Sequence, residues 1–385
     1  MKNNRFLVFI LFVVALSLMA YSKFTDLGDD PSKVKVKRVI TVQYKLKKGD
    51  FLYDKFKGWT MDGKYIMIVE EDEGNTLLYD KEGRYFKKLE GVFWFSSYTG
   101  NRILTVKDPH HSDRPTDFYI YDTRNYKLVK KFRSSWIDGK DRGVFYDDNS
   151  LLIVKNKFTT GKVPEAGGWY KVKIFRFNYM DGKEEVIYEA EVLGATEDIM
   201  YFGDGKIYYS RDRYVNGEHR GEDEYVYDIK TGKESFFVKD GLRYGWDVYF
   251  LRKGLFVYED NYIIRDIKTL KELARKGKRG KPYLDKKYIH NTDYSYIEWY
   301  DGTVLPNLKL YILDIGTFNE SIRGDYPMDS YIYLYTLDMK KRKMLKLKSP
   351  TTLDGDRNYF SPEGDRFVAM QDYKRFVIIV LERKR

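Results

Sequence analysis

The sequence predicts an all-β fold, and three observations carry that expectation. Tyr and Phe together supply 60 of the 385 residues and alanine only seven, a balance that favours pleated strands over helices. Short runs in which apolar and polar residues alternate recur from residue 37 to the C-terminus, beginning with KRVITVQYKL at Lys37–Leu46. Two kinds of turn landmark then interleave along the rest of the chain. The closing stretch, FSPEGDRFVAMQDYKRFVIIVLERKR at 360–385, shows the unit in full: turn, strand, turn, strand.

The first landmark is a turn with Gly or Asn just before a strand, at Gly63, Gly100, Asn149, Gly205, Gly254, Gly302 and Gly364. A residue tolerant of positive φ is what a tight strand-to-strand turn needs there. The second is a strand ending in Asp or Asn before a polar turn, at Asp80, Asp122, Asn178, Asp228, Asp266 and Asp338, with Asp314 competing for the last slot. Successive first landmarks lie 37, 49, 56, 49, 48 and 62 residues apart. A period of roughly 40–50 residues with about four short strands each is the pattern of β-propeller blades, which bury both faces only by stacking on neighbours. The expected architecture is therefore a seven-bladed β-propeller over 37–385, with six and eight blades as alternatives. The last unit stops after its third strand, so Lys37–Leu46 is expected to supply the fourth and remove an open edge.

Ahead of the repeats, Lys2 and Arg5 precede a fifteen-residue apolar run from Phe6 to Ala20, with small residues around Ala20 and Ser22. That is the pattern of a signal peptide or signal anchor over 1–22, and the run is short for a span of about 20 residues. Residues 23–36 read as a polar tether. The expected location is extracytoplasmic: secreted, periplasmic or held at the outer face of a membrane. With no cysteine there is neither a disulfide nor a lipidated thiol, and a chain of this length buries a large core without either.

Phe360–Arg366 (FSPEGDR) and Thr60–Tyr65 (TMDGKY) resemble the core of the WD40-like PD40 repeat. The resemblance spans most of 47–385. It implies the propellers of TolB and of the prolyl oligopeptidases, here without an appended catalytic domain. No GxSxG nucleophile elbow occurs in the sequence, so peptidase chemistry of the latter kind is not expected. The sole Trp-Asp pair, Trp246-Asp247, does not end a strand as it would in an ordinary WD40 array.

A net charge of +11, or +9 once Lys2 and Arg5 leave with a cleaved signal, points outside the cytosol to an anionic polymer, an acidic glycan or an acidic envelope protein, and not to nucleic acid. A membrane partner is expected only if the N-terminal segment is retained. The connections between second and third strands are expected to emerge on one face. Four look long: Lys107–Asp117, Asn156–Trp169, Arg211–Glu222 and Leu305–Ser330. Long loops usually carry function. Cations in or near them, Arg114, Arg211, Arg213 and Arg220, are candidate binding residues. So are Arg275, Lys276, Lys278 and Arg279, part of a run with five cations in seven residues. Asp108, His110, His111, Asp113 and His219 combine imidazole and carboxylate, a donor set suited to zinc or manganese. Adjacent histidines point apart in an extended chain, and ordinary exposed loop residues are the plainer reading. No organic cofactor is expected; a divalent metal is the one group this set could take. Asp354–Asn358 begins like a calcium loop but lacks its sixth-position Gly.

Without a catalytic constellation, the sequence favours a non-catalytic propeller that binds a protein, glycan or envelope component through its long-loop face. The alternative is a propeller enzyme, a lyase or glycosidase, acting on acidic polysaccharide.

Overall fold

The computed structural model describes residues 27–43, 56–70, 73–107, 115–134, 143–159, 168–201, 203–216, 218–238, 255–258, 263–266, 272–275, 295–299, 310–319, 327–336, 341–347, 361, 363–372 and 375–384. The described strands form seven antiparallel sheets, each but the last in chain order. A lone strand, β1 (Val34–Gln43), comes first. The first sheet holds β2 (Phe56–Trp59), β3 (Tyr65–Glu70), β4 (Asn75–Asp80) and β5 (Tyr85–Glu90). The second holds β6 (Val92–Ser96), β7 (Arg102–Val106), β8 (Thr116–Asp122) and β9 (Lys127–Ser134). In the third are β10 (Gly143–Asp147), β11 (Ser150–Thr159), β12 (Trp169–Asn178) and β13 (Glu184–Leu193). The fourth contains β14 (Thr196–Tyr201), β15 (Lys206–Val215), β16 (Glu218–Asp228) and β17 (Lys233–Val238). Then come β18 (Leu255–Tyr258), β19 (Ile263–Asp266) and β20 (Glu272–Arg275) in the fifth. The sixth is built from β21 (Ser295–Trp299), β22 (Leu310–Asn319), β23 (Pro327–Thr336) and β24 (Arg342–Leu347). The last is β25 (Arg366–Asp372) with β26 (Arg375–Arg383), and β1 pairs along β26 from Val34↔Arg383 to Gln43↔Arg375.

The two sequence landmarks have one physical basis, the satisfaction of turn backbone by short side chains. In three sheets the first turn closes with identical bonds. Gly63, Gly100 and Gly364 donate to the carbonyls of Thr60, Ser97 and Ser361, each at 2.8 Å, and all three glycines have φ near +70°. Thr60 and Ser97 add hydroxyl acceptors for the Tyr65 and Arg102 N–H groups. Asn149 departs from the expectation: it is not among the positive-φ residues, and its N–H is held by Asp147 Oδ1 at 2.8 Å instead. At the second landmark the side chains of Asp80, Asp122, Asn178 and Asp228 accept N–H groups of the turn they open. The residue after the strand end then bonds back to the first turn, Thr123 to Asn101, Tyr179 to Asn149 and Ile229 to Gly205, and in the last sheet Leu381, within β26, bonds to Asp365 in the same way. Both landmarks therefore lie at one end of every such sheet.

Neighbouring sheets are stitched at that end and packed between. Asp148 of the third sheet accepts from Thr99 and Asn101 of the second. Lys81 of the first sheet meets Glu363 of the last at 2.6 Å. One apolar cluster joins Ile66, Leu77 and Tyr79 of the first sheet, Phe367 and Phe376–Ile379 of the last, and Leu310, Leu334 and Leu345 of the sixth. The last sheet thus sits between the sixth and the first, and β1 covers the edge that β26 would otherwise expose.

The closing strand starts earlier than the sequence suggested. It runs from Val34, behind a 3-10 turn at Pro31–Lys33 capped by Asp30, and Leu27 and Val34 are fully buried. Most of the expected tether is therefore built into the fold, because its few apolar residues complete the cluster beside β26. Residues 1–26, with the expected signal segment, and Trp246-Asp247 lie outside the described residues. No helix among the described residues is long and apolar enough to cross a membrane.

Candidate binding face

Opposite the stitched end, each second strand turns into its third, and there the sheets differ. β3 and β4 have 6 residues each, and β7 and β8 have 5 and 7. β11, β12, β15, β22 and β23 have 10 each and β16 has 11. Three sheets thus carry inner hairpins several residues longer than their neighbours, a projection of roughly 10–17 Å at about 3.4 Å per residue. This corrects the loop expectation. Pairing continues to Thr159↔Trp169 within the stretch 156–169 and to Phe318↔Pro327 within 305–330. Arg211–Glu222 is no loop at all: it pairs through to Val215↔Glu218, and Asn216 (φ 51°) makes the tight turn. An Asn-Gly pair is a strong two-residue hairpin signal. It is masked here because RDRYVNGEHRGEDE is polar on both faces, leaving no alternation to read.

That correction places four candidate residues on one ribbon, β15–β16, each with an acidic partner. Arg211 is buried, and its guanidinium holds Glu234 through Nη2–Oε2 at 2.7 Å and Nη1–Oε1 at 3.2 Å, stacked 4.4 Å from the Tyr225 ring centroid. Glu234 also accepts the hydroxyls of Tyr188 (2.7 Å) and Tyr209. Burial alone would raise the Glu234 carboxyl, but the hydrogen bonds from Arg211, Tyr209 and Tyr188 outweigh it and hold the group below the ordinary glutamate range. Burial, then Glu234, pushes the Tyr188 phenol up to about 12. Arg211 is therefore a structural cation joining the third and fourth sheets. Arg213 pairs with Asp223 at 3.0 Å, and Arg220 pairs with Glu218. His219 Nε2 lies 3.2 Å from Asp212 Oδ1, with the Tyr214 ring against it.

Arg275 ends β20 in a different sheet. Asp108, His110, His111, Asp113, Arg114, Lys276, Lys278, Arg279 and the stretch 354–358 lie outside the described residues. Among the described residues no group of three or more His, Asp or Glu side chains is placed to hold a metal. Of the tryptophans, Trp59 is buried and Trp94 packs against the core, but Trp169 is 41% exposed at the end of β12.

Sequence reasoning passed over the cations that the long hairpins do gather. Lys155 and Lys157 on β11 stand directly opposite Lys173 and Lys171 on β12. The signal was there as Lys-x-Lys, in VKNKF and YKVKI, a spacing that puts both lysines of a strand on one face. Only the register shows that the two pairs meet.

Successive four-stranded antiparallel sheets in chain order, closed on themselves by pairing of the first strand with the last, define a β-propeller. No family model matches the sequence, and no curated protein matches it. Solved structures similar to it include the WD40 domain of Pan2 from Neurospora crassa, 9% identical, covering 91% of this chain and 96% of that one with a TM-score of 0.47. The β-propeller domain of the Trilobed protease from Pyrococcus furiosus is 14% identical, covering 74% and 79% with a TM-score of 0.40. The tricorn protease is 13% identical with a TM-score of 0.43; the match covers 90% of this chain and 34% of that protein. At these identities and TM-scores the likenesses carry no argument about what this chain does.

Proposed function

We propose that the protein is an exported, non-catalytic propeller of seven blades that holds a protein, glycan or other envelope component on the face carrying its long hairpins. The observation that carries this reading is the disparity in hairpin length. Second-to-third connections emerge at one end of the sheets, and three of them are drawn out into ribbons, whose tips in the third and fourth sheets extend past the buried residues. Some of the exposed apolar side chains stand at those ends, Phe158, Trp169, Leu193 and Val215 among them. The excess of positive charge adds attraction for an anionic surface.

Binding of the purified protein to isolated envelopes of its own cells tests the reading. A variant joining Lys157 to Lys171 through Asn-Gly, which keeps Asn156 and the buried Val172, with the tips of the β15–β16 and β22–β23 ribbons shortened likewise, is expected to lose at least about tenfold in affinity, equivalent to about 1.4 kcal/mol. Its thermal midpoint should stay close to that of the parent. Undiminished binding with all three ribbons shortened would overturn the proposal.

A further inference from the structure

The face of the third sheet turned towards the second changes character along its length. Ile153, Phe175 and Phe177 pack in one cluster with Leu104, Val106 and Phe118. Beyond them, where β7 ends at Val106 and β8 has not yet begun, the same face carries Lys155 opposite Lys173, Lys157 opposite Lys171 and Thr159 opposite Trp169. Residues directly opposite share a face and alternate residues return to it, so four lysines and a tryptophan stand on one side of the ribbon. Lys155 Nζ lies 4.9 Å from the Phe175 ring centroid, at the border of the apolar zone.

Like charges directly opposite one another destabilise a sheet. On β13, Glu189 faces Lys173 and Glu191 faces Lys171; Lys171 Nζ meets Glu189 Oε1 at 2.7 Å and Glu191 bonds Thr159. The glutamates balance one lysine of each pair. Among the described residues, Lys155 and Lys157, on the far strand, face only lysine. The net excess is spread along the ribbon and ends at an exposed indole.

We propose that this face binds an acidic polysaccharide, a uronate-bearing chain laid along β11 and β12 with one sugar ring on Trp169 and carboxylates against the lysines. The inference rests on the reading of the ribbon end as the binding face. Lysines about 7 Å apart along a strand and about 5 Å across suit charges strung on a polymer. As flexible point charges they need no bidentate partner. An indole supplies the broad apolar platform on which the C–H face of a sugar ring can lie. An anionic bilayer fits less well, since the exposed aromatics Phe158 and Trp169 stand on opposite faces of the ribbon and present no common apolar surface to insert. Phe158, on the opposite face, is folded over Gly168, where a Cβ would stand 2.0 Å from its ring.

The test titrates the full chain with polygalacturonate, with a neutral glucan and with phosphatidylglycerol vesicles, at two salt concentrations. Polygalacturonate is expected to bind, to weaken with salt and to quench tryptophan fluorescence. Trp169→Ala should bind about tenfold more weakly, with Trp169→Phe recovering part of the loss. Lys155→Gln/Lys157→Gln should lower the slope of log affinity against log salt by about two. Equal affinity for the neutral glucan, unaltered binding by Trp169→Ala, or binding to the vesicles alone would overturn the proposal. If polygalacturonate fails while envelope binding still requires the ribbons, this inference falls and the binding-face reading stands; if envelope binding survives their shortening, both fall.

Discussion

Asp122 serves its turn and its neighbouring strand at once. Oδ1 accepts the Arg124 N–H at 2.8 Å, Oδ2 accepts Arg102 Nη1 at 2.9 Å, and the Arg124 side chain clasps both oxygens. The hydrogen bonds from Arg124, reinforced by the Arg102 charge, overcome partial burial and carry the carboxyl down to about 2 from an ordinary 3.8. A carboxyl whose pKa is depressed in the folded state contributes stability that is present above its unfolded pKa and lost as pH falls through the folded one. The window here is about pH 4 down to pH 2. Asp122→Asn should therefore be less stable than the parent at neutral pH and show a flatter loss across that window, read from urea midpoints at several pH values. Parallel acid limbs in the two proteins would refute the assignment. This residue was legible beforehand because an Asx turn leaves its mark in the sequence. Arg211, read as a candidate binding cation of a long loop, is buried in a strand, and that was not legible for the converse reason: its partner, Glu234, sits on another strand, and only pairing brings them together.

The element whose removal tells most is β1. It contributes Val34 and Val42 to the core and pairs with β26 from end to end. Deleting residues 27–43 would open an edge and expose the β26 side of the cluster. The thermal midpoint should fall by several °C, the shift per kcal/mol in a chain of this length being below the roughly 2–4 °C seen for 150–250 residues. An unchanged midpoint would show that the pairing is dispensable. Elements of this kind were the readable part of the fold. Gly63, Gly100, Gly205 and Gly364 all take the left-handed conformation their turns were expected to need. Asn149 shows that the landmark can work by a side-chain cap instead. The ribbons were the unreadable part. Strand signals come from one buried and one wet face, and a hairpin that leaves the core has two wet faces, so Arg211–Glu222 passed for a loop. The lysine pairs escaped notice because register, and not composition, sets two like charges side by side.

At the scale of the whole molecule, aromatic burial governs behaviour in alkali. Burial pushes the phenols of Tyr79, Tyr121, Tyr179 and Tyr188 up to about 12 from 10.0, and those of Tyr126 and Tyr209 further still. A group whose pKa is raised by folding contributes stability that is whole below the unfolded value and lost as pH rises through the folded one. Between pH 10 and 12 the protein should therefore unfold, with part of its tyrosinate absorbance appearing near pH 10 and the rest only with loss of sheet signal. Complete ionisation with the sheets intact at pH 12 would contradict this picture of the core. The pairing of β1 with β26 carries one more implication. Val34 enters its sheet beside Arg383, and Lys384 donates to the Lys33 carbonyl at 2.6 Å. Val34 and Lys384 thus stand side by side, at the pole opposite the ribbons. A surface held against that pole leaves Trp169 and its lysines turned outward, away from the contact.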